Sequence, residues 1–553
     1  METKKAKYLQ KWASMDQIYS PAQVLHKNVT DYILPTFGSY FDRGDPAQTP
    51  NVNRFEKIIN DAGSRANQIL GAGMMDLCSP SRPWFQLTLT DRDLAEFGPV
   101  KDWLQECEQV LYKLFGNSNF YTEANNIFES QGGFGTGVLM QTDGMNSVFD
   151  FRCFDVGEYR IATGPQNRVD TCYRRFFRTA KQLADMFGVD ALSNSTKQML
   201  EKTPYNYVEV LHVLEPRGND ERDYNKIDNS NMPYKSCWLE INGPDDKILR
   251  ESGFEEIPFT APRWRQVGQY PYGIGPGMFA MGNVMMLQEM EKTGLIALHK
   301  EIDPPVWAPG KFKDIVNLLP GAVNYGEGDG KEKIESLYNV SMNLQNLEYK
   351  LKEVESRIER TFFNDLFMMI INSDRSGREM TATEVMRRQE EKMLLLGPTI
   401  ERQINEFLDP VIERSFNLAY KKGLFPPAPP EVEGQEWEVE YISTLARSQK
   451  LANAQSMTTY LGEVERVAQL DEHSLIKTNF EEYLQQYADI IGVPVKVLRT
   501  QDEFEKILEN QVQAEQQAQQ MAQMQAMVAG AKDLGQASTE EGTALGDLKA
   551  SLE

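Results

Sequence analysis

The sequence is short of bases, cysteine and histidine, and it contains no long apolar run. Lysine and arginine total 58 against 81 aspartate and glutamate over 553 residues, a formal net charge of −23. Duplex DNA carries about one charge per 1.7 Å of axis, so a surface of this balance repels it overall. That excludes a protein whose main face grips nucleic acid and leaves only local basic rings open. The five cysteines (Cys78, Cys107, Cys153, Cys172, Cys237) are odd in number, widely spaced and without a C-x-x-C. They read as reduced thiols. The four histidines (His26, His212, His299, His473) are isolated, so no metal site is visible and no cofactor is expected. No apolar stretch approaches the roughly 20 residues that span a bilayer. The start METKKAK lacks an apolar signal segment. A soluble, non-exported chain with no membrane partner is expected.

Catalytic signatures are missing as well. There is no G-x-x-x-x-G-K-[ST]: Gly321 to Gly326 is followed by Glu327, without the lysine and hydroxyl that contact phosphate and magnesium. Neither G-x-S-x-G nor H-E-x-x-H occurs. Gly132-Gly133-Phe134-Gly135-Thr136-Gly137 resembles a dinucleotide loop only loosely, because its spacing fails at Val138; close backbone packing is the alternative reading. Carboxylate pairs abound in so acidic a chain and indicate nothing by themselves. An enzyme is not expected.

What is present is an ordinary globular composition, 41% hydrophobic and 25% charged. Residues 1–130 read mainly as amphipathic helices with one strand embedded, where Phe85, Leu87 and Leu89 alternate with Gln86, Thr88 and Thr90. From about 136 to 260 strand-like pieces dominate: Val138–Met140, Phe149–Phe154, Thr171–Phe177 and Tyr207–Val213. The fold class is therefore α+β, predominantly helical.

Further along, PYGIGPG (271–277) feeds a helix with Pro276 in its first turn, and Asp303-Pro304-Pro305 ends it. A second apolar stripe (Leu344, Leu347, Leu351, Val354, Ile358, Phe362, Leu366, Ile370) predicts a rod over residues 344–371, roughly 40 Å long at 1.5 Å per residue. Its other face carries charges of both signs, from Glu348 to Arg360. Between these rods lies a turn-rich segment with Trp307 and four close glycines. After the second rod comes NSDRSGREM (372–380), followed by the capping box Thr381-Ala382-Thr383-Glu384 and another apolar stripe to Leu418. Gly397-Pro398 predicts a kink in that helix, and Gly423 with Pro426-Pro427 predicts its stop. A strand is expected around Trp437, Val439 and Tyr441. Residues 511–525 hold eight glutamines, and residues 501–553 hold ten acids against three bases; this end reads as a polar helix or a partly disordered tail.

Eight stretches, in collinear order from about residue 10 to 430, resemble the head-to-tail connecting (portal) proteins of short-tailed bacteriophages. They are GMMDLCSPSRPWFQL (73–87), SNFYTEANNIFESQGGFGTGVLM (118–140), RVDTCYRRF (168–176), ESGFEEIPFTAPRW (251–264), YGIGPGMFAMGNVMMLQEM (272–290), EIDPPVWAP (301–309), residues 379–414 and KKGLFPPAP (421–429). The resemblance implies a dodecameric homo-oligomeric ring in the virion, at a capsid vertex and assembled in the host cytoplasm. It implies a channel that passes double-stranded DNA without regard to sequence. A terminase packaging motor, a tail adaptor, and capsid and scaffolding proteins are the partners it implies.

Laid on the chain, the resemblance makes residues 1–274 an N-terminal wing, 275–302 the first stem helix, 303–343 the clip and 344–371 the second stem helix. Residues 372–380 become the tunnel loop, 381–443 a long kinked wing helix and wing strand, and 444–553 the crown with a possible helical barrel. Ser373, Asp374, Arg375, Ser376, Gly377 and Arg378 then line the channel, with Arg375 and Arg378 as a basic collar; an ordinary solvated hinge is the alternative. Trp307, Lys311 and Lys313 become clip contacts to motor or adaptor, or contacts between neighbouring clips. Thr381, Glu384, Gly397 and Pro398 cap and hinge the helix behind the loop. Two other classes stand beside this one: a metal-dependent nuclease or hydrolase, and a helical scaffolding or adaptor protein of the virion without a DNA channel.

Overall fold

The structure is a computed structural model that describes residues 3–41, residues 52–302 apart from 81–82, 92–93, 95–96, 145–146, 223–227 and 244–246, and residues 306–307, 335–336, 344–368, 395–432 and 437–441, with scattered residues from 457 to 521. The chain divides into two units, Met1–Ala95 with Trp103–Ser448, and Glu96–Asp102 with Gln449–Glu553. In the second unit Tyr460 Oη and Thr478 Oγ1 lie 3.2 Å apart, Arg466 pairs with Glu463 at 3.0 Å, and the Tyr483 and Tyr487 rings stack at 6.0 Å.

The order of elements is α1 (Lys4–Tyr32), α2 (Val52–Lys57), α3 (Ala62–Met74), β1 (Phe85–Leu89), α4 (Gly98–Gly116), α5 (Phe120–Phe134), β2 (Leu139–Asp143), β3 (Phe149–Cys153), β4 (Tyr159–Thr163), β5 (Val169–Thr179), α6 (Ala180–Phe187), α7 (Asn194–Lys202), β6 (Tyr207–Pro216), β7 (Tyr234–Glu240), β8 (Ile248–Phe254), β9 (Phe259–Thr260), α8 (Pro276–Ile302), β10 (Val306–Trp307), β11 (Glu335–Ser336), α9 (Leu344–Thr361), α10 (Asp409–Lys421) and β12 (Trp437–Tyr441). It is a mixed fold in which helix outweighs strand, as the sequence pattern predicts.

An antiparallel sheet of five strands in the order β4-β5-β6-β7-β8 forms the centre of the first unit. Sequential strands pair; β4 and β5 are joined by a short turn, whereas β5 and β6 are joined through α6 and α7. Tyr173, Val213 and Cys237 stand in register across three strands. Onto them α1 lays Tyr8, Trp12 and Met15, steps of four and three that put all three rings and chains on one helix face. Farther along the same face, Tyr19 joins a second cluster with Phe154, Tyr159 and Tyr272. The opposite sheet face is covered by Ala180, Leu183 and Leu192, around α6 and α7, against Val208 and Val210. Each fully buried Val, Leu or Met among them contributes about 1.5–3 kcal/mol.

Two strand edges are closed by helix side chains in place of further strands. On α4, Glu108 Oε1 accepts from Leu87 N at 2.7 Å, and the Tyr112 hydroxyl accepts from Trp84 N and Phe85 N at 2.9 and 2.8 Å. The other edge of β1 pairs with β12, which confirms the expected strand at Trp437. Beside β3, Asn119 accepts from Phe151 N at 2.9 Å and donates to Phe151 O at 2.7 Å, while Glu123 accepts from Cys153 N at 2.8 Å. Capping an edge this way blocks its pairing with other chains.

The first rod matches its expected span, whereas the second departs from it. Backbone α-helix stops at Thr361, a turn holds Phe362 and Phe363, and helix resumes over 364–368. Phe363 has φ +58°, a left-handed conformation that costs a bulky residue about 1–3 kcal/mol. Tertiary packing over-determines it: Phe362 is fully buried, Phe363 lies 6.2 Å from the Trp264 ring, and Asn364 donates to Ala66 O at 2.9 Å. Helical periodicity alone cannot register such a break. Downstream, the described helix includes Gly397 and Pro398, and a π-turn follows at Ile404–Leu408, separated from Pro410 by Asp409. There Asp409 N donates to Ile404 O, five residues back.

Burial pushes the imidazoles of His26 and His212 down to about 3, with Arg160 near the first and Arg174 and Arg250 near the second adding to the shift. Both are neutral when folded and take a proton when unfolded below about 6.5, so their stabilisation is whole above that value and is lost as pH falls toward about 3. Burial lifts Glu108 to about 7, against the hydrogen bond from Leu87, so its contribution has the opposite sign: present below about 4.5 and lost as pH rises through about 7. In urea titrations between pH 5 and 6.5, His212→Asn is expected to reduce the pH slope of unfolding free energy by up to one proton, about 1.4 kcal/mol per pH unit. Glu108→Gln is expected to increase that slope. Unchanged slopes in both variants would contradict these assignments.

Candidate functional site

The loop 372–380, the cap Thr381 and Glu384, and Lys311 and Lys313 lie outside the described residues. Trp307 is described in backbone only, in β10, which pairs with β11 as Val306↔Ser336 and Trp307↔Glu335. Gly397 and Pro398 sit in the helical stretch 395–403. What the structure builds in detail is the root from which the two rods, and the segments between them, depart.

The root begins with a seam of glycines. Gly135 ends α5 with φ +75°, and its amide donates to Gln131 O at 2.8 Å. The segment 273–277 lies directly on it: a Cβ added at Gly275 would sit 2.4 Å from Gln131 O, and one at Gly273 would sit 2.2 Å from Gly135 O. Gly273 N donates to Thr136 Oγ1 at 2.7 Å, and Trp264 N donates to Gly135 O at 2.8 Å. The space a phosphate would take in a dinucleotide loop is filled by the chain's own backbone, so close packing is the reading that holds for 132–137.

From this seam α8 rises beside α9. Gly294 meets Leu347, where a Cβ would come within 2.8 Å of a methyl, and nearer the root Asn60 Nδ2 reaches both Glu291 (3.2 Å) and Glu355 (2.9 Å). These contacts make the rods antiparallel. Gln288, on the buried stripe of α8, accepts from Ile59 N and Asn60 N at 2.8 and 3.0 Å and donates to Asn60 O at 2.6 Å. α3 is wedged against both rods: Gly63 faces Val284, Gly73 faces the Phe367 ring, and Arg65 pairs with Glu359 at 3.5 Å. Behind α3, burial lifts Glu129 above the usual carboxylate range, opposed by the Asn125 amide at 2.9 Å.

The helix returning from the loop is latched separately. Arg263, with 2% of its side chain exposed, grips Glu406 of the π-turn through Nη2 at 2.7 Å and Nε at 3.1 Å, and Glu406 also accepts from Arg263 N at 3.0 Å. Gln141 Nε2 donates to Ser415 Oγ at 2.8 Å. On the outer face of α9, Lys352–Glu348, Lys350–Glu353 and Arg357–Glu353 form the mixed-sign surface expected there. Exposed pairs of this kind contribute little stability each. Gln288 and the Arg263–Glu406 pair escape a sequence reading; the one available signal for Gln288 is a polar residue inside an apolar stripe. Among the described residues no group of three His, Cys, Asp or Glu could hold a metal ion, and no helix is long and apolar enough to cross a membrane.

The sequence that builds this α+β body and its two rods has known relatives. The family described as bacteriophage head to tail connecting protein matches residues 5–498. The portal protein of Salmonella phage epsilon15 is 35% identical over 98% of both chains, and the probable portal protein of Bordetella phage BPP-1 is 32% identical over 99% of this chain and 98% of its own. The chain belongs to the bacteriophage head-to-tail connecting proteins. Among solved structures, a chain in the virion of a native gene transfer agent particle covers 72% of this chain and 85% of its own at 9% identity and a TM-score of 0.34, too loose to bear on function.

The seam makes a sharp prediction. Gly275→Ala places a methyl against backbone that cannot yield, so a loss of about 3 kcal/mol or more is expected, read as a fall in melting temperature. Gly282→Ala, in α8 just beyond the seam, meets nothing within 4 Å and is expected to be neutral or to raise stability by up to about 1 kcal/mol. Equal effects at the two positions would contradict the seam.

Proposed function

We propose that copies of this chain form the portal of a bacteriophage capsid, a dodecameric ring at one vertex through which double-stranded DNA enters during packaging and leaves during ejection. The observation that carries this reading is family membership over residues 5–498, joined by 35% identity along 98% of the chain to a protein named as a portal. In this reading the body is the wing, α8 and the rod after residue 344 are the stem, residues 303–343 are the clip, and residues 444–553 are the crown. The rooted, antiparallel rods support it, because segments that join them can project while their anchors stay fixed. So do Phe279, Met285 and Ile296 on the solvent side of α8, which are 60%, 43% and 46% exposed, apolar side chains suited to a neighbouring copy. A heterologous interface that closes on itself gives a ring.

Arg375 and Arg378 then repeat around the axis as a basic collar in an acidic molecule. Their contacts to phosphate are independent of sequence, as passage of any genome requires. The clip, with Trp307, Lys311 and Lys313, docks the terminase and later the tail adaptor. The reading gives the chain no catalytic step. Particles assembled without this chain are expected to lack packaged DNA, and DNA-filled particles without it would contradict the proposal. Replacing both Arg375 and Arg378 by alanine is expected to shorten or destabilise the packaged genome, measured as DNA length per particle. Unchanged packaging and retention would remove the collar and leave the loop an ordinary hinge.

A further inference from the structure

Outside the root, one cleft of about 450 Å³ opens between β8 and α10, lined in part by Arg250, Phe254, Glu256, Arg414 and Lys421. Its acids are already engaged. Glu255 pairs with Lys421, Asp143 pairs with Lys422 at 3.1 Å, and Glu256 Oε1 accepts from Asn417 Nδ2 at 2.8 Å. The arginines are not. The Arg414 side chain is 10% exposed, yet it makes no hydrogen bond among the described residues; its Nε is buried without a partner, and of the two carboxylates whose charge it feels, Glu256 stands 3.9 Å away and Asp143 is paired with Lys422. Arg250, exposed on the rim, rests 5.5 Å over the Phe187 ring and makes no ion pair among the described residues.

A guanidinium this deeply buried, with its Nε unpaired and its one ion pair long, is costly, since little of its desolvation is returned. Burial accordingly holds Arg414 below the usual arginine range. Its fork is held in place: the guanidinium lies 5.4 Å from the Phe254 ring, and Val411, Ile412 and Ser415 around it on α10 are buried. A planar fork of donors matches two oxygens of one oxyanion.

We propose that this cleft is an oxyanion-binding site, with Arg414 as its buried fork and Arg250 at its rim, taking a carboxylate or phosphate group. The acids at its wall are engaged by Lys421, Lys422 and Asn417, and the two arginines, without a carboxylate in hydrogen-bond range, set the sign of the ligand.

The test is calorimetric titration of the full-length protein at constant ionic strength, with inorganic phosphate in one arm and acetate in the other. Saturable binding is expected in at least one arm, weakened about tenfold by Arg414→Gln, the loss of about one charge-assisted interaction, and unchanged by Arg357→Gln on the exposed face of α9. Tighter phosphate binding identifies a phosphate group as the ligand, and tighter acetate binding identifies a carboxylate such as an acidic side chain. Absence of saturable binding in both arms, or binding that Arg414→Gln leaves intact, overturns the site. Should Arg414→Gln fail to fold, Arg250→Gln is expected to weaken binding about threefold, and binding unaltered by that change overturns the site equally.

Discussion

The contact on which the rest of the molecule depends is a close approach of two backbones, residues 132–137 and 273–277, at a distance that no side chain could tolerate. It fixes the position and direction in which α8 leaves the body. Once α8 is fixed, Gln288 can satisfy the amides of Ile59 and Asn60, and Asn60 can bridge Glu291 and Glu355. α9 is thereby set beside α8 with its own root against α3. Close-packed interiors transmit strain and do not absorb it, so the seam governs where both rods point.

A second constraint acts on the return path. Arg263 belongs to the segment that leads into the seam, and its grip on Glu406 ties the helix 395–421 to the same place. Breaking a buried pair by removing one partner typically costs about 3–5 kcal/mol. The π-turn that presents Glu406 and the left-handed Phe363 are local departures from regular helix, one on each side of the segment 369–394. Each is held by tertiary contacts and is unfavourable without them. The chain thus spends irregular backbone at the two described anchors nearest the loop and keeps the rest of the described rods regular.

Much of this was legible beforehand. Alternation at Phe85, Leu87 and Leu89 marked β1, and PYGIGPG with Pro276 marked the start of α8, because strand and helix periods are local properties. The glycines of 132–137 were legible as a place of close approach, yet their partner at 273–277 was not, since nothing local in a sequence says which backbone will arrive. The break at Phe362 and Phe363 was hidden for the same reason: Phe362, Leu366 and Ile370 keep perfect helical spacing, and the contacts that hold the break, among them Trp264 and Ala66, are distant in sequence. The π-turn at Ile404–Leu408 has no signal in the sequence as plain as the Gly397-Pro398 pair upstream of it. Glu406 looked like one of many acids; its role comes from the buried arginine opposite.

The central claim is that identical copies close side by side around an axis with the loop between the rods facing a hollow. Electron micrographs of the purified full-length oligomer, averaged without imposed symmetry, test it most directly. The account predicts a closed ring with a central opening wide enough for duplex DNA. A particle solid at its centre, or a chain that stays monomeric at every concentration, would contradict it.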